Sequence, residues 1–424
     1  MTCDLIFKNY KLTLRLVAQS PMIHFQGSQR GATLRASEVK PKFDRFIFQK
    51  LIEAEKEDAK KVFDNQDIIR VKEKYADLFR DKEHDAFNYK LSIYADKAPW
   101  HSDIDPRNEK RYQIFYGNQN RHEDRFERVI SDPIISIMCF NIKLQQLILK
   151  YIKEFFTVTN FGTMQSKGFG SYIISGEDYT EKYIAECLKS VYKAKSCFKM
   201  AIYNPAEYSK RTNTIVGRDD VYEMISRHIG YFYKIMKSGW NQNDEYCRSY
   251  IYQYMHTEYD MANEKAWMKH EKIAPSLNTK MRGDENVRFS RKVEKYRYVR
   301  AFLGTSGTLR YKNDGNSFVT ITITPKDQIN KTTVLERVPS PVFFKVICGC
   351  VYIVGAHVPD DIYNKKFLFN NSRFRKSGYI STPSKEEITF DMEDFLSKYV
   401  QFYNGKVPEK VKKINIKHIN KVNA

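Results

Sequence analysis

The stretch Asn160–Tyr172, NFGTMQSKGFGSY, sets three glycines, one lysine and three small hydroxyl residues between segments of opposite periodicity. Upstream, KLQQLILKYIKEFF carries Leu144, Leu147, Ile148, Tyr151, Ile152, Phe155 and Phe156 at 3,1,3,1,3,1 spacing, one apolar stripe of a helix laid on a sheet. Downstream, SYIIS reads as the strand that the loop feeds. Glycines permit positive φ and let backbone N–H groups approach a ligand. Thr163, Ser166 and Lys167 add hydroxyls and a mobile cation, which together suit phosphate. The helix precedes the loop, so neither a Walker loop nor a dinucleotide fingerprint fits. Two readings remain: a contact for a nucleic-acid backbone, or a glycine-rich helix-to-strand turn.

Working outward, KNYKLTLRLVAQSP alternates from Tyr10 to Val17 and predicts an opening strand. FQGSQRGATLRASEVKPKFDRFIFQKL then leads into a helix with Ser37 as N-cap and Pro41 in the first turn. Val39, Phe43, Phe46 and Ile47 share its apolar face. A charged helical excursion occupies about 53–85, and strands follow at YKLSIYAD, RYQIFYGN and IISIMCFNI. A second cycle opens at CFKMAIYN. After an aromatic-rich helical insertion near 205–285, strands return at YRYVRAFLG, SFVTITITP and PVFFKVICGCVYIVGAHV. A helix at MEDFLSKYVQFY and a basic tail, with Ile414, Ile416 and Ile419 alternating as an edge strand, close the chain. The order strand, helix, strands, helix, strand thus occurs twice. It predicts an α+β protein of two split βαβ domains, residues 1–185 and 186–424.

The totals bound the partners. Lys and Arg number 71 against 51 Asp and Glu, a net charge of +20, which attracts polyanions. Apolar residues make up 42%, enough for two cores, and no window holds eighteen consecutive apolar residues, the least a spanning helix needs. No secretory signal opens the chain, and the seven cysteines are scattered. Cys348 and Cys350 are close, but a lone C-x-C lacks the other ligands of a zinc site and reads as two small core residues. The expectation is a reduced, soluble, cytoplasmic protein with no metal, cofactor or membrane partner.

GTMQSKGFGSY resembles the glycine-rich loop of the RAMP superfamily, the RNA-recognition-motif-like proteins of CRISPR effector complexes. There, too, the loop follows the last helix of a ferredoxin-like domain. SPMIHFQGSQRGATLRASEVKPKFDRF resembles the family's early strand-to-basic-helix segment, with the departure that Pro41 follows Lys40 where the family often has glycine. LERVPSPVFFKVI resembles a stretch in the second half of the two-domain Cmr-type subunit. The resemblance implies two ferredoxin-like domains in a type III CRISPR ribonucleoprotein of antiviral defence. It implies binding of guide or target RNA beside other subunits of the complex. The matching RNA-contact positions are Arg35, Ser37, Lys40 and Lys42 early in the chain. Gly162, Ser166, Lys167, Gly168, Phe169 and Gly170 match in the loop, and Arg337, Ser340 and Lys345 in the second half.

VRFSRKVEKYRYVRAFLGTSGTLRYK interleaves cations, Arg297 and Arg300 among them, with Phe289, Tyr296, Tyr298 and Phe302. Single-stranded RNA is held by such mixtures of charge and flat rings. The alternative is a strand whose aromatics face the core. A metal-independent endoribonuclease on the same fold would need a general base, for which His24 is the candidate. Asp103 and Asp105 in SDIDPRNE are the candidates for metal-assisted cleavage, or else an ordinary turn. A scaffold whose charge answers acidic neighbours is the third reading.

Overall fold

The computed structural model describes residues 5–23, 33–55, 65–81, 85–95, 100–102, 127–201, 218–242, 245–275, 295–312, 318–326, 338–406 and 419–423. β1 (Lys11–Ala18) follows its sequence alternation, with Leu12, Leu14, Leu16 and Ala18 buried and Lys11, Thr13 and Arg15 exposed. A short β2 (Met22–Ile23) precedes α1 (Ala36–Glu55), which buries Val39, Phe43, Phe46 and Ile47 as expected.

The start of α1 differs from the expectation. The Arg35 carbonyl accepts from the N–H groups of Glu38 and Val39 at 3.0 and 3.1 Å, so Arg35 holds the cap position and Ser37 is already helical. Buried Leu34 and the Glu38 carboxylate, which accepts from the Gly162 N–H at 2.8 Å, anchor that turn. Tertiary contacts therefore set the boundary, not a serine hydroxyl. Pro41 falls in the second turn with its ring exposed, where it leaves the Ser37 carbonyl without a helical donor.

The charged stretch that follows contains α2 (Asn65–Lys74), after which come β3 (Lys90–Tyr94), β4 (Trp100–Ser102), β5 (Glu127–Val129) and β6 (Ile134–Met138). The expected strand RYQIFYGN lies outside the described residues. α3 (Ile142–Val158) is capped by Asn141, whose Oδ1 accepts from the Leu144 N–H at 3.1 Å. Every residue of its predicted stripe is buried except Leu147, which is half-buried. β7 (Tyr172–Ile174) completes an antiparallel sheet of order β3-β6-β1-β7. α1 and α3 pack together, with Phe43 and Phe155 ring centroids 4.8 Å apart, and bury one face of that sheet. Its other face is open: Lys11, Arg15, Lys90, Tyr94, Ile134 and Met138 are all exposed.

α4 (Glu181–Tyr192) leads to β8 (Cys197–Ala201). The described part of the insertion holds α5 (Arg218–Lys237), the paired β9 (Trp240–Gln242) and β10 (Glu245–Cys247), α6 (Tyr250–Tyr259) and α7 (Glu264–His270). Beyond it lie β11 (Thr308–Lys312), β12 (Phe318–Pro325), β13 (Val342–Ile347) and β14 (Cys350–Gly355). β15 (Lys366–Asn371), β16 (Lys376–Ser381), α8 (Met392–Lys406) and β17 (Ile419–Lys421) finish the chain. Ile414 and Ile416 lie outside the described residues.

The second half has a sheet of order β13-β14-β8-β17, and a separate sheet, β11-β12-β15-β16, is inserted into it. Numbered within their own halves, the strands of both main sheets stand in the same order: second, third, first, fourth. The protein is thus mixed α+β, with small antiparallel sheets and eight α-helices among the described residues. No described helix is long and apolar enough to cross a membrane.

Two strand readings are corrected. YRYVRAFLG forms a 3₁₀ turn over Val299–Leu303 with all five of its residues buried, so no face alternates and no strand forms. Cys348 lies in the turn between β13 and β14 at φ 50°, not in a strand beside Cys350, so the two thiols do not share a pleat face.

Candidate nucleic-acid interface

α3 ends when Thr159 turns extended, and the glycine loop then folds back on the chain's first strands. The Gly170 N–H donates to Pro21 O at 2.8 Å, Thr163 N–H to Ile23 O at 2.7 Å, and Phe161 N–H to Gly170 O at 3.0 Å. Gly162 and Gly170 sit at φ 78° and 69°, and a Cβ on either would collide with the carbonyl oxygens of Ile23 and Phe161 respectively. Only glycine permits that approach. The N–H groups of Gly162, Lys167, Gly168 and Ser171 are also engaged, by Glu38, Met164, Gln165 and Ser20. The loop backbone therefore serves the protein itself, and the Lys167 side chain reaches across towards Ser340 and Tyr233.

The same loop is the joint between the two halves. Lys167 bridges in parallel to Phe344 of β13, an edge strand of the second sheet. The Phe344 N–H donates to Ser166 O at 3.2 Å, and Ser171 Oγ donates to Val346 O at 2.6 Å. Asn160 Nδ2 donates to both Phe344 O and Gln165 O, at 2.9 and 2.7 Å. Fully buried Lys345 reaches across to Thr159 O at 2.7 Å and Asn160 Oδ1 at 3.2 Å, and burial pushes its amine well below the usual lysine range. Buried Phe169 packs within the seam's loop.

Several of the sequence-chosen cations are likewise bound internally. Lys42 donates to Glu38, Asn160 O and Gln165 at 2.9–3.1 Å, tying α1 to the loop, and burial lowers its pKa against the opposing pull of Glu38. Lys40 donates to Asp44 at 2.6 Å and lies 4.1 Å from the Tyr89 ring centre. Arg35 is half-buried and Ser37 exposed. Arg297 forks onto Glu387, which Lys295 also contacts at 3.1 Å. Burial disfavours the Glu387 charge, yet Arg297, the Ser384 N–H and Lys295 outweigh it and hold the carboxyl at about 2. Arg300 pairs with Glu264 at 3.0 Å, both buried. Tyr298 and Phe302 are core residues, so the stacking role open to them in the sequence is taken by packing. Arg337, His24, Asp103 and Asp105 lie outside the described residues.

One group of side chains remains differently placed. Lys167 Nζ sits 3.2 Å from Ser340 Oγ and 2.9 Å from the centre of the Tyr233 ring. Tyr233 Oη donates to Leu303 O and is 3.2 Å from Ser340 Oγ. One turn along α5, Lys237 donates to Leu303 O and Gly304 O at 3.1 and 2.6 Å. All four side chains are half-buried. Lys167 has no carboxylate partner among the described residues, and burial, then the charge of Lys237, drives its pKa well below the usual value. Burial and then Arg300 bring Lys237 down to about 7, against the opposing charge of Glu264. Two lysines thus lie against one ring with burial opposing their charge, at a place where an anion would favour their protonated forms.

Sequence reasoning found Lys167 and Ser340, from stretches 173 residues apart, and the structure brings them into contact. It missed Tyr233 and Lys237. Their signal was the i,i+4 spacing of a ring and a cation within VYEMISRHIGYFYKIMKSGW, on a helix whose partner was not visible.

Residues 9–240 match the family model of the Cmr1 N-terminal domain, and residues 246–421 match that of the Cmr1 C-terminal domain. The chain belongs to the Cmr1 family. Membership makes it a Cmr1-type subunit of the multi-subunit type III CRISPR Cmr complex. No curated protein matches the chain. In this Cmr1-family chain, Lys167, Tyr233 and Lys237 fall in the N-terminal match and Ser340 and Phe344 in the C-terminal one, so the lysine cluster lies where the two Cmr1 domains meet.

Proposed function

We propose that this Cmr1-family subunit binds RNA, guide or target or both, within its effector complex in antiviral defence, and that the Lys167–Lys237 cluster holds a backbone phosphate. The observation that carries the reading is the convergence of Lys167, Lys237 and Ser340 without a compensating carboxylate on Lys167. A phosphate there would take charge-assisted hydrogen bonds from two ammonium groups and one from a hydroxyl. The net charge of +20 supplies the long-range attraction.

The repeated sheet order supports two ferredoxin-like domains of the RAMP type, divided near residue 185, with the glycine loop working as a hinge pin that presents Lys167. The decisive experiment is to purify the protein from its host and sequence the RNA that accompanies it. Short RNAs with a shared repeat-derived end are expected, and Lys167→Ala should reduce their recovery. Random fragments, or recovery indifferent to Lys167 and Lys237, would remove the reading. Affinity for a single-stranded RNA should also fall linearly with log salt concentration.

A further inference from the structure

Five of the eleven large hydrophobic side chains exposed among the described residues sit together on the open face of the first sheet and its end. Register places Ile134 directly between Arg15 and Tyr94, and Met138 directly between Lys11 and Lys90. Residues directly opposite on antiparallel strands share a face, so these are two continuous rows. Between them runs a third row, Thr13–Ser136–Ser92. Past the end of β6 the apolar stripe continues to Phe140, 70% exposed, whose ring centre is 5.3 Å from that of Tyr10.

The charge pattern is one-sided. Lys8, Lys11, Arg15 and Lys90 are exposed, and none has a carboxylate partner among the described residues. No Asp or Glu stands in the three rows. An exposed apolar patch rimmed by charge marks an interaction surface on a protein that must otherwise stay in solution.

We propose that this sheet face docks another protein subunit of the complex through a surface that sets apolar side chains on Ile134 and Met138 and carboxylates on the flanking cations. Three features select that occupant. The face sets aliphatic Ile134 and Met138 on either side of a row of small hydroxyls, and its rings stand apart, Tyr94 in the Ile134 row and the Tyr10–Phe140 pair past the Met138 end, whereas a base-stacking platform needs successive flat rings. The rim cations lack partners and so favour carboxylates across the interface. A second copy of this chain would set the same four cations against themselves, which disfavours a self-dimer. The face is also formed by strands of the first sheet, whereas the lysine cluster lies at the glycine loop, β13 and α5, so protein docking and RNA binding use separate surfaces.

The test reconstitutes the full chain with the other subunits of its own complex, carrying a photo-crosslinking residue at Tyr94 or at Met138. Crosslinks to an Asp/Glu-bearing segment of one subunit are expected. The triple variant Lys11→Glu, Arg15→Glu, Lys90→Glu, all surface changes compatible with folding, should reduce incorporation at least tenfold. RNA affinity of the isolated chain should meanwhile change far less in Met138→Glu, which alters the net charge by one, than in Lys167→Ala. Met138→Glu reports the apolar contacts and should block assembly alone. Crosslinks to RNA, crosslinks to a second copy, or unaltered assembly of the triple variant would each overturn the proposal. Failure of RNA recovery with intact docking would count against the lysine cluster alone.

Discussion

Asn160 shows how much one side chain can carry. It donates to Gln165 O and Phe344 O and accepts from Lys345, so it knits loop, first half and second half together while 1% exposed. Asn160→Ala removes three hydrogen bonds, leaving Phe344 O without this donor while Gln165 O keeps the Gly168 N–H and the Lys345 amine keeps Thr159 O, a cost of about 3 kcal/mol at roughly 1 kcal/mol per bond. Chemical denaturation should read that loss, and an unchanged midpoint would show the seam to be weaker than its geometry. Lys237 gives a second residue-scale outcome. Its folded pKa of about 7 lies below the ordinary 10.5, so the stability of the free protein is greatest above that ordinary value. It declines as pH falls towards 7 and is level below. Phosphate binding reverses the bias by returning the proton. RNA affinity should therefore weaken as pH rises from 7 to 8.5, approaching about tenfold per unit well above the pKa, and Lys237→Met should flatten the profile. A wild-type profile flat over this range would detach Lys237 from the RNA.

At the scale of elements, β1 and α3 were legible because each is buried on one side only, so solvent writes its period into the sequence. The Tyr298–Leu303 segment was not, because all of it is buried and its one charge, Arg300, is answered by Glu264 from another helix. The Ser37 cap misled for a related reason: Glu38 and Leu34 are held by distant parts of the chain. The glycine loop was visible as a loop, but not as a joint, since the β13 carbonyls it meets lie 175 or more residues away. Its glycines answer the packing requirement. Gly170→Ala should cost about 3 kcal/mol or more, from the positive φ and the clash with the Phe161 carbonyl together. Ser166→Ala, which keeps the carbonyl that Phe344 uses, should stay within about 0.5 kcal/mol. Comparable losses in thermal melts of the two variants would sink the argument that backbone shape, rather than side-chain chemistry, fixes this loop.

The whole molecule has two sheets of one order, yet the joint between them does not resemble a linker. Phe344 is bonded at both its N–H and its carbonyl to the glycine loop, Val346 O takes the Ser171 hydroxyl, and Lys345 crosses to the end of α3. Those contacts cover the free edge of the second sheet, an edge that would otherwise invite pairing with other chains. Buried residues of both halves also form one continuous core cluster. Two domains that merely touched would unfold in separate steps, whereas halves that share an edge and a core should lose structure together. Calorimetry should therefore give one transition for the RNA-free chain, with calorimetric and van't Hoff enthalpies near agreement. Asn160→Ala should lower that single midpoint rather than split it, and residues 186–424 expressed alone should aggregate through exposed β13. Two resolved transitions in the wild-type chain, or a soluble folded second half, would mean that the halves are independent. The lysine cluster would then be assembled only when RNA draws them together.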